Sequence, residues 1–168
     1  MNGTIATQIS VVNDDFTKRA LRRTLGAIAN VISSQMLASA ALLINAGASP
    51  LAKTGATAVN ASVNGRLVAV PAGTVLPALV GTTLINTFNV YVFLLSTAGF
   101  TSVMGTAATT LGGVVWPNVP LGSTIVGAFT VNPTTASFIG GTTALDAANT
   151  NVVFISPVGA FDPTLIVV

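Results

Sequence analysis

Residues 57–70 read TAVNASVNGRLVAV, and this stretch decides the fold class. Val59, Ala61 and Val63 alternate with Asn60 and Ser62, the period of a strand with one apolar face. Asn64-Gly65 follows, a pair suited to the two positive φ angles of a type I′ turn, and residues 66–70 return as the partner strand. The same pattern recurs downstream. Residues 87–95 (TFNVYVFLL) place Phe88, Val90, Val92 and Leu94 on one face and Tyr91, Phe93 and Leu95 on the other. Apolar side chains on both faces predict a strand covered on both sides. One set is expected to fill the core, and the other to meet a second subunit or a helix. Residues 96–99 read as a turn and 100–104 as a return strand. Further strands are expected at 111–116, 124–132, 137–139 and 151–155, punctuated by Gly112-Gly113, Pro117, Pro120, Pro133, Gly140-Gly141 and Pro157. Short strands at this spacing predict an antiparallel, jelly-roll-like β-sandwich. Residues 164–168 (TLIVV) are apolar and β-branched, which suits an edge strand in this sheet or in a neighbour's.

Upstream the period changes. Leu21, Leu25, Ile28, Ile32, Met36 and Leu43 recur close to the helical repeat, predicting a helical segment over about residues 13–45. Asn13 or Asp14 suits its first turn, and Ala46-Gly47 with Ser49-Pro50 reads as its stop signal. Lys18, Arg19, Arg22 and Arg23 give its first two turns a basic face. The expected class is α+β, mainly β: a helical arm and linker over residues 1–55, then the β domain over 56–168.

Composition bounds the function. Of 168 residues, 51% are hydrophobic and only 6% charged, against roughly 25% charged in ordinary soluble domains. No charged residue occurs between Leu67 and Leu145. The surface must therefore be built from Thr, Ser, Asn, Ala and Gly, or lie against a partner. Self-association is expected, with a homotrimer as the specific expectation. The uncharged run 25–48 is long enough to cross a bilayer, which makes a membrane anchor the alternative of a different class. Asn30, Ser33, Ser34, Gln35, Ser39 and Asn45 within it favour a buried or interfacial helix instead.

The chain offers little to catalysis. Histidine and cysteine are absent, removing the commonest general base and the thiolate nucleophile and ligand. Asp14, Asp15, Asp146 and Asp162 are the four acids. Two suit a helix start and two suit turns, where carboxylates accept backbone N–H groups. A calcium ion held by Asp146 and Asp162 would lack ligands. No phosphate-cradling glycine pattern occurs. No catalytic, cofactor or metal set is therefore expected. The basic cluster lacks interleaved aromatics, so a nucleic-acid partner is not expected either. Its expected role is docking: Lys18, Arg19, Arg22 and Arg23 beside the apolar Leu21, Leu25, Ile28 and Ile32. Tyr91 and Trp116 are expected to be core or interface anchors.

The stretch FNVYVFLLSTAG, with GTAATTLGGVVWPNVPLGSTIVGAFTVNP, SFIGGTTALD and the closing GAFDP, resembles a recurrent group of bacteriophage virion proteins. The resemblance covers about residues 86–163. It implies a non-enzymatic structural protein of the phage particle. Small β-sandwich proteins of phages often act as capsid decoration (cement) proteins, commonly trimers seated between capsomers. The implied partners are other copies of the chain and the major capsid protein. A head-fibre, tail or baseplate component is the alternative. The basic helical region lies outside the resemblance.

Overall fold

The hairpin has the expected turn: Asn64 and Gly65 take φ angles of 51° and 72°. The structure, a computed structural model, describes residues 17–22, 25, 28–29 and 32–159. In chain order the strands are β1 (Gln35–Met36), β2 (Leu43–Ile44), β3 (Ala52–Lys53), β4 (Val59–Val63), β5 (Arg66–Val70) and β6 (Thr82–Thr83). They continue with β7 (Asn89–Ser96), β8 (Gly99–Met104), β9 (Ser123–Val131), β10 (Phe138–Ile139) and β11 (Val153–Ile155). One sheet runs β1-β4-β5, a second β11-β9-β7-β8, and two small ladders join β2 to β3 and β10 to β6. All these pairings are antiparallel. The described chain is mainly β.

Alternation places the core. In β4, Val59, Ala61 and Val63 are buried while Asn60 faces water. These residues join Met36, Leu42, Val70, Tyr91, Phe93, Leu95, Phe129, Phe138 and Leu145 in one cluster drawn from both larger sheets. A smaller cluster, Val90, Val92, Leu94, Ile125 and Ala128, lies on the opposite face of β7 and β9.

Val90, Val92 and Leu94 are buried within the single chain, where Val114, Trp116, Val119 and Ile155 pack against them. The cover is the segment expected to be a strand at 111–116. It forms instead a 3₁₀ turn, Leu111–Gly113, followed by a single bridge from Val115 to Thr106. Gly112-Gly113 brings no side chain to a pleated surface, whereas a turn there delivers Val114 and Trp116 to the apolar face. Phe88 stands just outside β7, half-buried and bridged to Ala108.

The helix is shorter than its apolar period. Residues 17–22, 25, 28–29 and 32–33 are helical, and the chain bends at Ser34 into β1. The reason lies in two exchanged hydrogen bonds. A continuing helix would bond the Leu37 N–H to the Ser33 carbonyl. Here the Leu37 N–H donates to the Asn60 carbonyl at 2.9 Å, and the Ser33 carbonyl accepts the Gly65 N–H at 2.8 Å. The Ser62 hydroxyl adds a bond to the same carbonyl at 2.7 Å, and the Ser34 hydroxyl accepts the Asn64 N–H at 3.0 Å. The hairpin turn thus captures the helix end. Met36 becomes core and Leu43 a half-exposed residue of β2. Residues 35–53 contribute β1, β2 and β3 to the antiparallel ladders. The Gly47/Pro50 signal marks the β2–β3 loop, where Ala48 takes a φ of 55°.

Among the described residues no helix is long and apolar enough to cross a membrane.

Gly65 carries a measurable share of this arrangement. A Cβ there meets no atom within 4 Å, so the cost of substitution is conformational. Gly65→Ala is expected to destabilise by about 1 kcal/mol, the penalty of placing an L-residue in the left-handed region. Urea unfolding should show a lower midpoint with an unchanged slope.

Candidate docking surface

The helix presents its apolar residues outward. Leu21, Leu25, Ile28 and Ile32 are 55%, 54%, 49% and 61% exposed. Their spacing of four, three and four residues puts them on one side of a helix. Lys18, Arg19 and Arg22 are exposed in the first turns, and Arg23 lies outside the described residues. Three of the four basic residues expected to dock a partner, and all four apolar ones, therefore sit on an exposed helix. Its C-terminal end is pinned to the β4–β5 turn by the bonds of Ser33 and Ser34. An apolar stripe left in water is unfavourable at roughly 25 cal/mol per Å². Covering the stripe would remove that cost.

The other proposed set, Phe88, Val90, Tyr91, Val92, Phe93, Leu94 and Leu95, has no such exposure. Residues 90–95 are at most 3% exposed within the single chain, so they are core. A surface absent from sequence reasoning appears elsewhere. Val80 (72% exposed) and Ile139 (48%) flank the β6–β10 ladder. Gly81 lies against Met104, since a Cβ on it would stand 2.7 Å from the Met104 sulfur. Three distant segments build this patch, and no local pattern announces it.

Chemically reactive groups are engaged in structure. The Asp146 carboxylate accepts the Ala48 N–H at 2.8 Å, fastening the β2–β3 loop to a turn 98 residues away. A shallow groove beside it, lined by Ile44, Leu145, Thr150, Asn151 and Phe154, adds no second ionisable side chain. Asp14, Asp15 and Asp162 lie outside the described residues, as do residues 164–168. No group of three metal-ligating side chains occurs among the described residues.

Tyr91 anchors the main core. Its ring stacks on Phe129 at 5.6 Å and meets Phe138 edge-on at 5.4 Å. Its hydroxyl and that of Thr83 share a hydrogen bond of 3.1 Å. Burial pushes the phenol above its ordinary value, partly opposed by the bond to Thr83. The unfolded chain therefore ionises first. The contribution to stability is full below about pH 10 and is lost as pH rises toward the higher folded value. Tyr91→Phe is expected to flatten this decline, measured as the difference in urea midpoint between the two proteins from about pH 8 to 11.

No protein-family model, curated protein or solved structure matches the chain.

Proposed function

We propose that this chain is a non-enzymatic structural protein of a bacteriophage virion. Its specific role is capsid decoration: it stabilises the head by self-association, as a homotrimer, and by binding the major capsid protein. In this reading the two larger sheets form a jelly-roll-like β-sandwich, and the N-terminal helix is the docking arm. The observation that carries the reading is the exposed stripe Leu21, Leu25, Ile28 and Ile32 beside Lys18, Arg19 and Arg22. An amphipathic helix with a basic flank suits a surface that is apolar and acidic. The charge-free run 67–145 and the patch at Val80, Met104 and Ile139 support permanent association. The resemblance of residues 86–163 to phage virion proteins supplies the setting.

Leu25→Asp with Ile28→Asp is expected to leave a folded oligomer that no longer binds capsids lacking the protein, as followed by co-sedimentation. Replacing Arg19, Arg22 and Arg23 by Ala should weaken binding more at low salt than at high, because rim charges are screened. Undiminished decoration by the Leu25/Ile28 variant would refute the docking role. Cryo-electron microscopy of labelled particles decides location: label on tails or baseplates would replace decoration by the alternative virion role.

A further inference from the structure

Hairpin register fixes the direction of every backbone group in β5. The two-residue turn is closed by the pair Val63–Arg66, and pairing continues through Ala61–Val68 to Val59–Val70. In such a ladder, alternate residues turn their N–H and C=O groups away from the partner strand. On β4 that outward set includes Asn60, whose carbonyl accepts the Leu37 N–H of the segment following β1. On β5 the outward set is Leu67 and Ala69. Among the described residues, no backbone group bonds to either.

The edges at β8 and β11 carry side-chain bonds to neighbouring segments. Ser102 of β8 bonds the Ala78 carbonyl, and Ser156, following β11, bonds Leu42 and Ser39. The opposite edge of the β5 sheet, at β1, accepts Gly159, whose N–H donates to the Met36 carbonyl at 2.8 Å. Natural sheets blunt open edges with charge, proline or a bulge. β5 has regular pairing throughout, its one charge, Arg66, sits at the turn, and Leu67 is 69% exposed.

We propose that residues 164–168 of a second copy add as a strand to the open edge of β5. The sequence TLIVV has the β-branched, charge-free character such a strand needs. Distance works against the chain's own segment pairing there along its whole length. From Gly159, beside β1, to a strand beyond β5 is four strand spacings, roughly 19 Å. Five residue steps from Gly159 to Thr164 reach about 18 Å when fully stretched, and the path must detour over the outer face because the inner face is core. A second copy has no such limit. Each copy then offers both an edge and a strand, a head-to-tail contact that can close into a ring such as a trimer.

This inference rests on the self-association proposed above, and the test separates the two. Ala69→Pro removes an outward N–H and leaves the β4 bonds intact, a substitution that edge strands tolerate. Leu67→Lys places a charge beside the same edge. In the full chain, each is expected to weaken association by at least about tenfold in sedimentation while circular dichroism stays unchanged. The chain has no cysteine, so Leu67→Cys combined with Leu165→Cys or Ile166→Cys reports the contact directly. Oxidation should give covalent multimers on a denaturing gel. Intramolecular closure alone, no crosslink, or an unaltered oligomer in both edge variants would overturn the pairing while self-association stands. A monomeric wild-type chain would overturn both.

Discussion

Replacing Phe129 by Ala is expected to destabilise the protein by about 3–5 kcal/mol, the range for emptying a packed aromatic site. Phe129 is fully buried and touches three aromatic residues on the two neighbouring strands, β7 and β11. Its ring lies 5.6 Å from Tyr91, 6.0 Å from Phe93 and 5.5 Å from Phe154. β9 carries it between β7 and β11, so the cavity would open within the main core cluster. Domains of this size are stable by about 5–15 kcal/mol, so the loss is a large share of the total. Phe93→Ala should act alike, since that residue is also fully buried in the same cluster. Phe88→Ala should cost less than half as much, because Phe88 is half-buried at the mouth of β7. Chemical unfolding of the three variants gives the comparison. Equal effects at Phe88 and Phe129 would contradict this assignment of the core.

Gly105→Val should be the next largest, at about 3 kcal/mol, the upper range for overpacking. A Cβ at Gly105 would stand 2.6 Å from the Val115 carbonyl oxygen and 2.6 Å from Val90 Cγ1. One obstacle is backbone and the other fully buried, so neither can step aside. The Gly105 N–H also donates to the Val90 carbonyl at 2.8 Å, which holds the two segments together. The strain should be relieved by lifting residues 114–119 off the smaller cluster. Trp116 is the single tryptophan and packs on that cluster, so its emission should shift to the red in the variant. A stable variant with unshifted emission would show that the segment is not held by this approach. Asn89 sits at the same place: its Oδ1 accepts the Val90 N–H at 2.8 Å, while its buried Nδ2 finds no partner among the described residues.

The β4–β5 hairpin, the two-faced β7 with its turn to β8, and β9 were legible because each is specified within a few residues. Asn64-Gly65 sets its own backbone, and the alternation of Val59, Ala61 and Val63 assigns the buried face whatever the partner is.

The tertiary structure decided where local signals stop. The helical period runs on through Met36 and Leu43, but at Ser33 the hairpin turn competes for the same carbonyl, and the long-range bonds from Gly65 and Ser62 prevail. Likewise residues 114–119 have the composition of a strand, yet the apolar face of β7 and β9 needs a cover and takes them as one. Exposure itself is a tertiary property: Leu25 and Leu94 are equally apolar, and only the packing of other segments leaves the first in water and removes the second from it. The outer edge of β5, which has no backbone partner among the described residues, follows the same logic, because a strand does not encode what lies on its far side.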